Sequence, residues 1–273
     1  MSEPEDVLSD SLETLYDHAP IALGSAGSLY TYQAQNGGPT VALTTPDTQA
    51  ANWALHATSI WSASIYVADH ILDLQIDRRA KQAAEEGRTL NILELGAGAG
   101  LPSILIAKNY QDVLVMCSDY PDNALIRTLE ENVRRNDACS RCRVVPYAWG
   151  SDPSVLLPPG ATTDDAPAFD IILAADTLWN SDTHHLFLDT LKRTLRRSPD
   201  ARIYLIAGLH TGRYVLQSFL RLMSGAGFVT EELTERRIGA TDERPWSVDR
   251  AEGEDERERR RWTVWMVFKW QYC

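Results

Sequence analysis

Residues 90–103 read LNILELGAGAGLPS. An apolar run ends in three alternating glycines, Gly96, Gly98 and Gly100, and a helix-like segment, LPSILIAKNY, follows. This is the layout of a first strand, a tight turn and a helix whose N-terminus faces a ligand, with glycine letting the backbone come close to it. The spacing narrows the choice of ligand. A dinucleotide fingerprint runs G-x-G-x-x-G, whereas this loop runs G-x-G-x-G. A P-loop needs Gly-Lys followed by Ser or Thr, and the loop holds no lysine. Neither phosphate-binding reading fits.

Outward from the loop, strand-like runs recur at 112–118, 142–147, 169–175 and 201–208. Helical stretches, among them DNALIRTLEENVRRN and SDTHHLFLDTLKRTLRR, separate most of them. Residues 148–168, rich in Pro, Asp and Gly, read as a loop. Apolar strands alternating with helices predict a parallel sheet covered on both faces. Two closing runs, 228–233 and 261–270, predict an antiparallel pair. The charged segment between them ends in DRAEGEDERERRR; its charges nearly cancel, and it reads as a solvated connection. The expected fold is therefore α/β: a Rossmann-like sheet of seven strands with the last one antiparallel.

Upstream, LYTYQAQNGGPTVALTT (29–45) predicts a hairpin about Asn36-Gly37-Gly38. Ile60, Ser64, Val67, Ile71 and Leu74 fall at helical spacing and predict a helix over 59–77, followed by a polar loop, KQAAEEGRT. In the leader, 1–27, only SLETLYDHA is periodic. The chain is thus expected to divide into an N-terminal hairpin and helix extension, 1–58, and a sheet domain, 59–273.

A chain of 273 residues has room for one large domain or two small ones. A net charge of −12 opposes sequence-independent binding to nucleic acid, whose phosphates it repels. The acidic N-terminus lacks a signal-peptide core, and no apolar run is long enough to span a bilayer. A cytoplasmic protein without membrane or nucleic-acid partners is expected, working as a monomer. Cys139 and Cys142 have CxxC spacing but no second pair, and His184 and His185 are adjacent, which suits no single ion; no metal is expected.

Two acids sharpen the ligand. Glu94 lies within the end of the first strand and Asp119 at the end of the second, in CSDYPD. An acid at Asp119 accepts both hydroxyls of a ribose, and Glu94 beside the glycines takes an amino group directly or through water. A ligand with a ribose, an ammonium group, a cation and no phosphate is S-adenosylmethionine.

Five pieces then stand in one order and spacing: IWSASIYVADHI (60–71), LELGAGAGLPS (93–103), SDYPD (118–122), YAWG (147–150) and ADTLWNSDTHH (175–185). In these the chain resembles the seven-strand, class I S-adenosylmethionine-dependent methyltransferases, within them family 16, and there a fungal nicotinamide N-methyltransferase-like branch. One type in that branch methylates the N-terminus and a lysine of translation elongation factor 1A. The resemblance covers roughly residues 55–270. It implies that Trp61 lies over the cofactor and that Gly96, Ala97, Gly98, Gly100 and Ala175 border it. It implies Asp119 on the ribose, with Tyr120, Pro121 and Trp149 around the adenine. Asp176-Thr177-Leu178-Trp179 would form the acceptor-site motif. Thr177, Ser181 and the stretch Leu209-His210-Thr211-Gly212-Arg213 differ from the elongation-factor type, all on the acceptor side.

The chemistry expected of these residues is simple. An amine must shed its proton before it attacks, and a carboxylate binds and orients its charged form. Asp176 stands at the strand end where open α/β sheets place ligands. Trp179 offers a π face to an ammonium group, and Asn180 an amide to fix a carbonyl. His184 or His185, and His210 with Arg213, are further candidates on that edge. Three functions follow: an N-methyltransferase for a protein lysine or N-terminal amine, one for a small amine or heterocycle, or a catalytically silent cofactor-binding interaction protein.

Overall fold

The structure, a computed structural model, describes residues 21–157 and 169–272. The expected leader helix SLETLYDHA and most of the loop before residue 169 lie outside the described residues.

The sheet grows from the central run. Strand β5 (Leu90–Leu95) pairs in parallel with β6 (Val113–Asp119) on one side and β8 (Ile171–Ala175) on the other. Beyond β6 lies β7 (Cys142–Pro146), and beyond β8 lies β9 (Arg202–Gly208), all parallel. The closing strand β12 (Trp262–Trp270) is inserted antiparallel between β9 and β10 (Phe228–Arg237). This is the expected seven-strand sheet. It gains an eighth, three-residue edge strand, β11 (Glu243–Pro245), paired to β10.

Alternation across the pleat sends neighbouring residues to opposite faces. Ile92, Val115, Leu173 and Ile206 enter one core, while Leu93, Met116, Ile172 and Leu205 enter the other. The first core is roofed by helices α1 (Ser62–Asp69), α2 (Ile76–Glu85), α3 (Leu101–Asn109) and α4 (Asn123–Arg135). Helices α5 (His184–Thr194) and α6 (Arg213–Gly225) cover the second through Phe187, Leu191, Phe219 and Met223. Helix α4 starts cleanly because Asp122 accepts hydrogen bonds from the Ala124 and Leu125 N–H groups, and it ends with Arg134 and Arg135 against the helix dipole.

The hairpin forms from β2 (Leu29–Gln33) and β3 (Thr40–Thr44), with Tyr32, Val41 and Leu43 buried in the first core. Strand β3 presents its free edge to α4. Asn132 and Asn136, one helical turn apart, use their amides as a strand would. Asn136 accepts from the Ala42 N–H and donates to the Ala42 carbonyl; Asn132 does the same at Thr44. Asn132 also donates to the carbonyl of Ala99, so the hairpin is tied to the glycine loop.

Two expectations need correction. The helix over 59–77 is broken. Residues Ile60–Trp61 form a short strand, β4, paired antiparallel with β1 (Ala22–Leu23), and α1 stops at His70, whose ring stacks on Tyr66. A 3-10 turn follows over Ile71–Leu74, and Gln75 takes φ +53 before α2 begins. Val67, Ile71 and Leu74 are all buried, so the periodicity marked the right face. The turn at Gln75 re-aims the chain and lets α2 run through KQAAE, which read as loop. The charged segment is also more than a solvated connection. It supplies β11, a short helix α7 (Glu256–Arg260) and buried charge. Arg213, with its side chain fully buried, pairs with Glu235 and Glu254, and Arg244 and Arg250 close on Glu235. Burial pushes the Glu235 carboxyl up, but its bonds from Arg213 and Arg244 prevail and hold it below the usual range.

No helix among the described residues is long and apolar enough to cross a membrane.

Candidate active site at the strand ends

The ends of β5, β6 and β8 bring three carboxylates to one rim. Glu94 is buried, and its Oε2 accepts from the N–H of Ser103 at 3.0 Å and from that residue's hydroxyl. Burial pushes its carboxyl up to about 8, more than the bonds from Ser103 pull it down. Ser103 lies in the first turn of α3, where backbone N–H groups lack helical partners. Asp119 spends both oxygens on the backbone: Oδ2 accepts from the Gly98 N–H and Oδ1 from the Tyr120 N–H, each at 2.6 Å. Burial raises it to about 6. Each oxygen retains a further lone pair for an outside donor.

The loop explains its glycines by surroundings. A Cβ on Gly100, at φ +88, would stand 2.6 Å from the Leu129 side chain. A Cβ on Gly98, at φ +56, would meet nothing within 4 Å. One glycine is demanded by packing, and the other leaves an open wall. That wall borders a cleft lined also by Glu94, Ala97, Ala175 and, from β4 and α1, Trp61 and Ser64. Tyr120 and Pro121 are exposed beside Asp119, and Trp149 packs edge-on against Phe187, close to Gly96. No lysine or arginine lines the cleft among the described residues. A carboxyl, Glu94, with no base beside it suits an amine or cationic ligand and not a phosphate.

Asp176 follows β8 with φ +57, a left-handed conformation that is strained for a residue with a side chain. Its N–H donates to the Ile206 carbonyl, and its Oδ1 accepts from the Gly208 N–H at 2.9 Å, so both ends are fixed to β9. Its Oδ2 is buried without a partner among the described residues. Burial pushes its carboxyl up, against the pull of His210 and the Gly208 bond. A chain of ring contacts leads away from it. His210 lies with Nδ1 3.9 Å from Oδ1 and stacks on Trp61 at 5.2 Å. Trp179 meets His56 edge to face at 5.1 Å, and the Trp61 indole N–H donates to the His56 carbonyl at 2.7 Å.

Other candidates serve elsewhere. Arg213 is sealed in its ion cluster and is closed to a substrate. His184 is buried, bonded to the Leu178 carbonyl and packed on Phe219; burial lowers its pKa. His185 is exposed. Asn180 uses its Oδ1 to cap the turn Ser181–Thr183, and its NH2 has no partner among the described residues. His56 had no signal in the sequence, because it lies in a segment without periodicity.

A parallel sheet with one inserted antiparallel strand, a glycine loop after the first strand and acids at the next strand ends define a class I methyltransferase. The sequence pattern described as "lysine methyltransferase" matches residues 48–226, and the chain belongs to that family. It is 32% identical over 187 residues to the protein N-terminal and lysine N-methyltransferase efm7 of Schizosaccharomyces pombe, covering 67% of this chain and 69% of that one. The protein of the same name in Candida albicans is 29% identical, with 66% and 68% covered. Among solved structures, the [4+2]-cyclase SpnF superposes with a TM-score of 0.50 at 12% identity, covering 76% of this chain and 82% of that one. At that identity it speaks for the fold alone.

Proposed function

We propose that the chain is an S-adenosylmethionine-dependent N-methyltransferase acting on a protein amine, a lysine side chain or an N-terminal amine. The observation that carries this is Asp176. It is a strained, buried carboxylate with one oxygen unpartnered among the described residues, next to Ala175 of the cleft wall and beside His210, whose ring stacks on Trp61. Such an oxygen calls for a cationic donor, because an unpaired buried acceptor is unfavourable. The names of the two fungal relatives support a protein amine as that donor.

When bound, S-adenosylmethionine supplies a methyl group already activated on a sulfonium. The chain's own residues bind and align. Asp119 takes the ribose hydroxyls on lone pairs left by Gly98 and Tyr120. Glu94 takes the amino group, Trp61 covers it, and Tyr120, Pro121 and Trp149 border the adenine. Asp176 binds the acceptor's charge, Trp179 forms a wall, worth about 0.5–2 kcal/mol to a cation on its face, and the free NH2 of Asn180 holds a carbonyl. Alignment of two reactants is the main catalytic device for such a donor.

The test is transfer of labelled methyl from S-adenosylmethionine to lysate proteins, with elongation factor 1A tried first as the resemblance implies, beside a panel of small amines. A labelled protein band that Asp176→Ala abolishes supports the proposal. Label confined to small amines supports the alternative that the low exposure of Asp176 favours by itself.

A further inference from the structure

Asp176 and His210 form a pair whose spacing has a chemical meaning. The 3.9 Å between His210 Nδ1 and Asp176 Oδ1 is too long for a direct hydrogen bond. It suits one nitrogen placed about 2.9 Å from each. Gly208 makes the approach possible, since a Cβ there would stand 2.8 Å from His210 Nδ1 and 3.4 Å from Asp176 Oδ1. The imidazole is held from the other side. Its face stacks on Trp61, whose indole is anchored on the His56 carbonyl. The side chain remains 14% exposed, so it has an edge open to water. Asp176, just after β8, is the titratable group beside it, and His56 meets Trp61 edge to face.

We infer that His210 is the proton acceptor of the reaction: it takes the proton of an acceptor ammonium that Asp176 binds, and passes it to solvent. This rests on the methyltransferase reading above. In the step, one N–H bond of the ammonium breaks and its electron pair stays on nitrogen. An N–H bond forms on the neutral imidazole, which becomes imidazolium. Asp176 keeps its negative charge and stabilises both cations in turn. The free amine then carries the lone pair that attacks the methyl group. The device matters because a lysine amine is almost wholly protonated near neutral pH.

The experiment compares wild type, His210→Gln and His210→Ala in labelled-methyl transfer to lysate proteins from pH 6.5 to 10, with S-adenosylhomocysteine titrated calorimetrically into each. The expected result is a loss of about 100-fold or more in kcat for both variants near neutral pH. The affinity for S-adenosylhomocysteine stays within about twofold of wild type. The deficit narrows as pH approaches the amine's own range, and added imidazole restores part of the activity of His210→Ala. A variant with wild-type kcat at every pH overturns the inference and leaves the methyltransferase reading standing. So does a deficit independent of pH, or one accompanied by lost S-adenosylhomocysteine binding. No labelling by wild type overturns both.

Discussion

Two alanine substitutions in one loop are expected to fail for opposite reasons. Gly100→Ala places a methyl 2.6 Å from Leu129 Cδ1 and 3.3 Å from Ile104 Cδ1, at φ +88. Holding an L residue there costs about 1–3 kcal/mol, and overpacking adds about 1–3 kcal/mol. At roughly 2–4 °C per kcal/mol for a chain of this size, Tm should fall by about 5–20 °C. Gly98→Ala, at φ +56, carries the left-handed backbone strain alone, because its methyl touches nothing within 4 Å. It should lose only about 1–2 kcal/mol of stability, while its N–H still holds Asp119. Its methyl, however, stands in the cleft. Affinity for S-adenosylmethionine should drop about 10–100-fold, equivalent to about 1.4–2.8 kcal/mol. Thermal denaturation and calorimetric titration of both variants check this. If Gly98→Ala binds as wild type does, or is destabilised as severely as Gly100→Ala, the assignment of the open wall to the ligand is wrong.

Other substitutions probe the supports. Glu94, raised from 4.5 to about 8, binds more protons folded than unfolded between those values, so it makes stability fall as pH rises through that window. Glu94→Gln should flatten the slope of denaturant stability against pH over this range. An ammonium seated on Glu94 should expel its proton, seen as proton release near pH 7 when S-adenosylmethionine is titrated in buffers of differing ionisation enthalpy. Asn132→Leu removes the amide that pairs with both polar groups of Thr44 and with the Ala99 carbonyl, and should lower stability by about 2–4 kcal/mol in denaturant unfolding. Arg213→Met takes the buried cation from between Glu235 and Glu254, leaving them to the more exposed Arg244 and Arg250, and should cost about 3–5 kcal/mol by the same measurement.

The strands were legible because buried parallel strands are apolar on both faces, and runs such as FDIILAA and ARIYLIAG show it without ambiguity. The glycine loop and the position of the acids 94, 119 and 176 at strand ends were legible because each lies where an apolar run closes. What stayed hidden depends on long-range partners. The periodicity of 59–77 reports a buried face and is silent on chain continuity, so the turn at Gln75 was invisible. Arg213 looked like a ligand-edge cation because Glu235 and Glu254, 22 and 41 residues away, are its partners only in the fold. His56 enters the site through ring contacts with Trp61 and Trp179, which no local pattern records.

The most direct measurement is calorimetric titration of S-adenosylmethionine into the wild-type chain, repeated with Asp119→Ala and with a pyrophosphate-bearing dinucleotide as competitor. Saturable one-site binding, weakened by the substitution and untouched by the dinucleotide, is the predicted result. Saturation by the dinucleotide, with no heat from S-adenosylmethionine, would contradict the account.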